Sequence, residues 1–467
     1  MTIDLSNSVR VHVIGIGGSG MAAIAEVLHG MGHKVSGTDL HSSKALDDLI
    51  DLGIEARVGH VGEATHGADF VVRSTAIPDH NVEVFATRER GARVYRRADI
   101  LAAIAAQRPT VAVAGTHGKT TTSSMLAVAA RAAGLDPSYI IGGTTTDLGT
   151  GAHWGSGHWF VVEADESDGT FLELGHRIGV VTNVEPDHLE HYGGEAALRQ
   201  AFVDFAAMGS RAIICADDQG ARALLAADAD GAQVVTYGVA QDADVRMVDV
   251  QRSARGTTFR LETKNDLNGV VFGDVAVSMP GLHNARNAVA ALVAVQEMGG
   301  DLSAAKRALS QFGGVGRRFD ARGSVADIEF IDDYAHLPTE VRAALDAATD
   351  LHRQRVVAVF QPHRYSRTEQ LWEQFEGAFD DADLLVVTGI YSSGETPRPG
   401  ITGELIVEAI QRRAGHPEVV YVEERAAVAT QLQQLLQPGD LCITLGAGDL
   451  TLLPDELISL LSNETQA

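Results

Sequence analysis

The run Gly115-Thr116-His117-Gly118-Lys119-Thr120-Thr121 places a lysine and a row of hydroxyls directly after a glycine turn. An apolar run, Val111 to Val113, precedes it, and a helical pattern, Ser123 to Ala133, follows. A strand, a glycine turn and a helix start are what a bound polyphosphate requires. Small residues admit its oxygens to backbone N–H groups, and the helix N-terminus faces its negative charge. Lys119 is then placed to neutralise the β- and γ-phosphates, and the Thr120 hydroxyl to hold Mg²⁺. Gly115 and Gly118 have two residues between them, against the four of the commonest P-loop, so the turn is a variant of that motif.

A second kind of chemistry sits at the ends of two apolar runs. Trp159 to Val162 leads into Glu163, Asp165, Glu166 and Asp168, and carboxylates at a strand end require cations to meet them. Metal ions are the expected partners. Ile178 to Thr182 leads into Asn183-Val184-Glu185-Pro186-Asp187-His188. In a parallel sheet both ends lie beside the phosphate turn, so Thr120, Glu163 and His188 are the expected metal ligands. A surface or helix-capping role is equally open to His188. Further along, Asn284 and Asn287 lie three apart on one helical face, a spacing that suits an adenine edge; helix N-capping is the alternative for Asn284.

A first glycine turn, Gly15-Ile16-Gly17-Gly18-Ser19-Gly20, follows the run Val9 to Ile14 and opens a helix from Met21 to Met31. The next strand, Lys34 to Gly37, ends at Asp39, which completes a dinucleotide-binding fingerprint. Glycines and a helix start recognise a diphosphate and not the base attached to it, so a UDP-linked sugar fits as well as NAD. Asp39 suits a ribose hydroxyl or a ring N–H in either case. Ser74 and Thr75 end another strand, Asp69 to Ser74, where ligands bind in open α/β sheets, and an ordinary loop role is equally open to them. Near the other end of the chain, the loops Asp332 to Glu340 and Gln361 to Arg367 follow strands. Arg364 and Arg367 offer forked cationic donors suited to a small carboxylate.

The elements that must position these residues alternate as β and α over most of the chain. At 467 residues it is long enough for two to three domains. The first βα series closes with a helix from Ala98 to Gln107. The second starts at the phosphate turn and includes short alternating segments, Asp244 to Val250, Thr257 to Glu262 and Val275 to Ser278, which read as a small antiparallel insertion before an apolar helix, Ala288 to Glu297. After Gly313 to Phe319 a further doubly wound series begins, with strands Ile328 to Asp332, Val356 to Phe360, Leu384 to Val387, Val419 to Val422 and Leu441 to Leu445, and helices from Thr339 and Glu369. A net charge of −25 repels nucleic acid and anionic membranes. No apolar run reaches spanning length and Met1-Thr2-Ile3-Asp4 does not begin a signal peptide, which predicts a cytoplasmic protein without membrane insertion. The two cysteines, Cys215 and Cys442, sit in β-like apolar runs and read as core residues.

In order along the chain, several motifs together resemble those of the Mur ligases. They are Gly15 to Met21, Gly115 to Thr121, Glu163 to Asp168, Glu185 to His188, His283-Asn284-Ala285-Arg286-Asn287, Arg317-Arg318-Phe319, Asp332 to His336 and Gln361 to Arg367. The resemblance implies three α/β domains: a Rossmann-like UDP-sugar-binding domain over 1–107, a central P-loop ATPase-like domain with a small antiparallel sheet over 108–321, and a Rossmann-like amino-acid-binding domain over 322–467. Domain closure would assemble the site. No lysine occurs between Lys119 and Lys264, whereas most of this family uses a carbamylated lysine at the metal; the L-alanine branch is similar to this chain in using a histidine, here His188. That branch usually follows His336 with a second histidine, and here the position is Leu337.

The resemblance further implies an ATP-dependent ligase joining L-alanine to the lactyl carboxylate of UDP-N-acetylmuramate through an acyl phosphate, in peptidoglycan synthesis. ATP would meet Gly115, Thr116, His117, Gly118, Lys119, Thr120, Thr121, His283, Asn284, Asn287 and Arg318, with Asp332 on its ribose. The UDP-sugar would meet Gly15, Gly17, Gly18, Ser19, Gly20, Asp39, Ser74 and Thr75. Tyr334, His336, Arg364 and Arg367 would position the amino acid, with His336 accepting the proton of the amine. The expected metal is Mg²⁺ or Mn²⁺, and the expected assembly a monomer or weak homodimer. Two rivals remain at this point: a ligase of the same family that joins a ready-made tripeptide to the same sugar, and an NAD-dependent oxidoreductase.

Overall fold

A computed structural model describes residues 3–226, 233–264 and 272–465, which leaves Met1 and Thr2 of the N-terminal reading outside it. Contacts divide the chain into two compact units. One runs through Asp249 and adds Phe259–Val275 and Arg286–Phe312; the other comprises Val250–Thr258, Ala276–Ala285 and the chain from Gly313.

The β-branched runs form three sheets. In the first, five parallel strands lie in the order Glu55–Val58, Lys34–Asp39, Arg10–Ile14, Phe70–Arg73, Val94–Arg96. The chain reverses order at Arg10–Ile14, so the glycine turn after that strand sits at the switch point where open α/β sheets bind ligands. The helix Ser19–Gly30 buries Met21, Ile24, Val27 and Leu28 on one face.

The second sheet has ten strands among the described residues. Its parallel centre runs Gln233–Gly238, Arg211–Cys215, Ile178–Val181, Thr110–Ala114, Phe160–Glu163, Ser138–Ile140. The segments expected as an antiparallel insertion, Val245–Ser253, Gly256–Thr263 and Gly273–Val277, extend this same sheet, and Val245–Ser253 joins it in parallel to Gln233–Gly238. The helix after the phosphate turn covers Lys119–Ala132, four residues earlier than the apolar periodicity begins, and is buried from Thr120 to Ala130. Its Thr, Ser and Ala side chains are small enough for close packing against neighbouring elements.

The third sheet pairs Asp320–Val325 antiparallel to Ile328–Asp333, then continues in parallel through Asp440–Leu445, Arg355–Phe360, Leu384–Thr388 and Glu418–Val422. Cys215 and Cys442 are both buried and free, as their apolar surroundings predict. No helix among the described residues is long and apolar enough to cross a membrane.

Candidate active site

Three neighbouring strands gather the phosphate turn. Val181 pairs with Ala114 and Val113 with Glu163, so Thr182, Gly115 and Glu163 stand together at the carboxyl ends. Gly115 holds φ at 138°, and a Cβ there would lie 2.0 Å from Thr182 Oγ1, which leaves glycine as the residue that fits. Thr182 Oγ1 donates to the carbonyl of His117 at 2.6 Å. The Asn183 amide brackets the same residue, accepting from its N–H at 2.7 Å and donating to its carbonyl at 3.0 Å. The Thr116 N–H is also taken, by the Asn183 carbonyl at 3.2 Å. The donors left for phosphate are therefore the N–H groups of Gly118 to Thr121 at the helix start. Sequence reading missed Thr182 and Asn183, because their role depends on strand neighbours distant in the chain.

Lys119 points back over this turn. Its Nζ donates to the carbonyl of Gly115 at 2.7 Å and to both oxygens of Glu166 at 2.9 and 2.8 Å. Burial works against the ammonium, but Glu166, Asp165 and Glu163 outweigh it and hold the Lys119 pKa above its ordinary value. Burial lifts the Glu166 carboxyl to about 7 despite the lysine beside it. Two others among the strand-end carboxylates accept backbone N–H groups, Asp165 from Ser167 and Asp168 from Thr170. The acidic strand end thus meets a lysine, one of the cations its burial requires, together with the backbone.

Thr120 Oγ1 donates to Glu163 Oε1 at 3.0 Å, and Glu163 Oε2 accepts from Gly142 N–H at 2.8 Å. A hydroxyl and a carboxylate in contact form a hard-oxygen donor pair that fits Mg²⁺. His188 does not join that pair here. It takes a left-handed φ of 52° before the short helix Leu189–Tyr192, with Nε2 3.4 Å from Asp187. Among the described residues no three His, Cys, Asp or Glu side chains converge on a common metal position.

The adenine residues divide. The Asn287 amide covers the phosphate turn, since a Cβ at Gly118 would lie 3.0 Å from its Oδ1. Asn284 is buried and donates to the Pro280 carbonyl at 2.8 Å, and since the helix begins at Leu282 this amide braces the helix start. His283 packs near Gly281, where a Cβ would lie 2.7 Å from its Cε1. Arg286 donates to Asp217 at 2.6 Å and ties the same helix to the loop after Arg211–Cys215.

At the first glycine turn, the N–H groups of Gly15 and Ile16 donate to the Thr38 carbonyl at 2.8 and 3.0 Å. Asp39 Oδ2 accepts from Gly17 N–H at 2.9 Å, so this acid shapes the turn as well as standing at its rim. Gly18 precedes the helix that starts at Ser19 and Gly20. Ser74 lies against Gly15, where a Cβ would be 3.1 Å from its own, while Thr75 is exposed beyond it. Two residues were missed. Ser43 donates to the Gly17 carbonyl at 3.2 Å, and the Arg97 guanidinium stands over Gly20, with a buried Nε that has no partner. A basic residue opening the helix Arg97–Ala105, where the dipole disfavours a cation, was the available signal for Arg97.

The loops of the third sheet bring together Tyr334, His336, His363 and Tyr391. The ring pairs Tyr334–His336, His336–His363 and His363–Tyr391 are 5.5, 5.8 and 5.7 Å apart. Arg317 and Arg318 both lie 4.8 Å from the Tyr334 ring. His336 Nδ1 is 3.0 Å from the Tyr334 carbonyl and 3.2 Å from Glu340 Oε2, both of which accept, so Nδ1 carries a proton. His363, missed by sequence reading, is 3.0 Å from Arg367 Nη1; burial, with His336, Arg367 and Arg364, drives it down to about 3. Arg364 takes a φ of 70° and precedes the helix Tyr365–Leu371, which starts four residues before the expected Glu369. Leu337, where a second histidine was of interest, is buried at the start of the helix Pro338–Thr349.

Asp332, expected on the ATP ribose, has a side chain 1% exposed that accepts from Thr444 Oγ1 at 2.7 Å and Thr451 Oγ1 at 2.6 Å. Asp333 beside it accepts from the N–H groups of Phe319 and Ala335, and burial lifts it to about 6 against the pull of Arg318.

Known proteins with the same pattern settle the family. Residues 10–109 match the Mur ligase family catalytic domain, 113–295 the Mur ligase middle domain and 317–448 the Mur ligase glutamate ligase domain. The chain is 41% identical over 97% of its length to the UDP-N-acetylmuramate–L-alanine ligase of Geotalea uraniireducens, covering 98% of that protein. The Mur ligase family includes this chain. Among its members, the enzyme of the same description from Sorangium cellulosum is 43% identical over 94% of both chains. The crystal structure of UDP-N-acetylmuramate–alanine ligase from Thermotoga maritima superposes with a TM-score of 0.77 at 28% identity, over 98% of this chain and 100% of that one. The crystal structure of a murein peptide ligase from Psychrobacter arcticus shares the fold with a TM-score of 0.68 at 24% identity, over 98% and 99% of the two chains.

Proposed function

We propose that the protein is an ATP-dependent amide-forming ligase that joins L-alanine to the lactyl carboxylate of UDP-N-acetylmuramate, giving ADP and phosphate, in peptidoglycan synthesis. The observation that carries this reading is identity above 40% to L-alanine ligases over nearly the whole chain, across all three matched domains. The domains divide at 1–107, 108–321 and 322–467. The acting form is a cytoplasmic monomer or weak homodimer.

The lactyl carboxylate is ionised at neutral pH and needs no base, but it is repelled by the γ-phosphate it attacks. Lys119 and the helix-start N–H groups of Gly118 to Thr121 draw charge off the phosphate oxygens, leaving the phosphorus open to an in-line oxygen and producing an acyl phosphate. Thr120 and Glu163 would hold Mg²⁺ or Mn²⁺, with His188 as the third ligand the sequence pattern offers, and the ion would supply charge neutralisation at the phosphates. Gly15, Gly17, Gly18, Ser19 and Gly20 take the UDP diphosphate, Asp39 fixes their turn, and Ser74 and Thr75 border it. In the third domain Arg364 and Arg367 take the alanine carboxylate, Tyr334 and Arg318 flank it, and His336 Nε2 accepts the ammonium proton that must leave before nitrogen attacks the acyl carbon.

The test is product mass after incubation with ATP, Mg²⁺, UDP-N-acetylmuramate and a mixture of free amino acids and tripeptide. A product heavier by one alanyl residue is expected. Addition of the tripeptide, or no addition with saturable NADH binding instead, overturns the reading.

A further inference from the structure

The first sheet has a second concave surface, at the opposite ends of the strands from its glycine turn. A cavity of about 650 Å³ is lined by the opening residues of Arg10–Ile14, Lys34–Asp39 and Glu55–Val58 and by the Ala64 to Ala68 loop. That volume lies within the roughly 300–1,000 Å³ of small-molecule sites. Its lining is cationic in a chain whose net charge is −25. Arg10, Lys34 and Arg57 line it beside one lining acid, Glu55, with Arg10 also 4.0 Å from Asp69 outside the lining, and His29, His33 and His66 add ring nitrogens.

Two features make this more than a chance grouping of basic residues. Among the described residues, the side chains of Lys34 and Arg57 have no hydrogen-bond or ion-pair partner, although exposed arginines elsewhere, such as Arg96 and Arg199, are paired with carboxylates. His33 is 5% exposed, and its Nδ1 accepts the Val9 N–H at 3.3 Å. The neutral ring therefore carries its proton on Nε2, a buried donor left without an acceptor. Buried donors in native proteins are almost always paired, and an orphan on a cavity wall is a place for a ligand acceptor.

We infer that this cavity binds a small phosphorylated anion, with a phosphate or diphosphate group held by Lys34, Arg57 and Arg10 and with His33 on its wall. A hollow of this volume suits a small molecule, whereas a nucleic-acid strand needs an extended groove. The site is distinct from both glycine turns, and it does not rest on the ligase reading. Its inner wall leads to the first of those turns. His12, 2.9 Å from Ser36 Oγ and 3.4 Å from Glu83, contacts the buried carboxylate that also accepts from Thr38 Oγ1 at 2.7 Å; the Thr38 carbonyl holds Gly15 and Ile16.

The experiment is calorimetric titration of the full chain with pyrophosphate and, separately, inorganic phosphate, after the two turns are saturated with a non-transferable ATP analogue and UDP-N-acetylmuramate. One further site is expected, and the Lys34→Ala/Arg57→Ala variant weakens it about tenfold or more. Both side chains are exposed, so the variant folds and keeps its ligase turnover. Heat with pyrophosphate alone assigns a diphosphate ligand, and heat with both assigns a single phosphate group. No heat from either anion, or equal affinity in the double variant, overturns the inference. A shift of the His33 Nε2–H resonance in the parent protein, absent from the variant, is the accompanying local readout.

Discussion

The ammonium of Lys119 lies 2.8 and 2.9 Å from the two carboxylate oxygens of Glu166, so the phosphate-turn lysine is held by an anion of its own chain. With side-chain exposures of 13% and 3%, the pair is largely out of water. In the proposed mechanism a nucleotide phosphate entering this turn would compete with Glu166 for the lysine. Removing either partner alone therefore has two consequences, one for chemistry and one for folding.

Lys119→Ala is expected to lower ligation by about 10²–10³-fold and also to destabilise the fold by about 3 kcal/mol, because it strands the Glu166 carboxylate. The double variant Lys119→Ala/Glu166→Gln recovers most of the stability and none of the activity. Thermal unfolding beside product assays separates the two effects. Ligation at the parent rate in Lys119→Ala would remove the basis of the proposed mechanism.

Asn183→Ala frees the His117 peptide that its amide brackets. The phosphate turn loses its template while the sugar-nucleotide turn keeps its own. The KM for ATP rises about tenfold and that for UDP-N-acetylmuramate stays within twofold, as steady-state kinetics with each substrate varied will report.

Gly115→Ala places a methyl group 2.0 Å from Thr182 Oγ1 on a backbone with φ of 138°. Gly118→Ala meets the Asn287 amide at 3.0 Å on a backbone with φ of 76°. The first loses nucleotide binding with a stability loss of about 3 kcal/mol or more, and the second loses about 1–2 kcal/mol. Chemical denaturation ranks them, and the reverse order would contradict the packing described for Thr182.

His336→Ala separates the two half-reactions. Acyl-phosphate formation needs no base, so trapping with hydroxylamine continues at near the parent rate, while amide formation falls about 10²-fold. Equal loss of both steps would assign His336 to binding and not to proton transfer.

His176 supplies a pH test. It is 3% exposed, lies tilted at 38° against Phe205 with ring centroids 4.3 Å apart, and neither ring nitrogen makes a well-aligned hydrogen bond. Burial drives its pKa down to about 4 from the ordinary 6.5. Below pH 6.5 the unfolded chain takes up a proton that the folded ring refuses, so this residue's contribution to stability is full above about 6.5 and falls as pH drops toward 4. His176→Phe removes that loss and flattens the acid limb of the stability profile by about 2–3 kcal/mol at pH 4.

The residues that fix the protein's chemistry were legible as local strings. A glycine turn before a helix announces a phosphate through backbone geometry spanning a few residues, which is why Gly115 to Thr121 and Gly15 to Gly20 could be read directly. Strand positions were also legible, because buried parallel strands are continuous apolar runs. Tertiary structure decided what each polar side chain meets. Glu166, read as one of several metal-seeking acids, meets Lys119; Asp332 turns inward to Thr444 and Thr451; Asn284 braces its own helix. Asn183 and Thr182 became visible once Ile178–Val181 paired with Thr110–Ala114 and set them against a turn some 65 residues away. The physical reason is common to all of these. Backbone conformation follows from nearest neighbours along the chain, whereas the partner of a buried charge or amide is chosen by strand order and register, which no local stretch encodes.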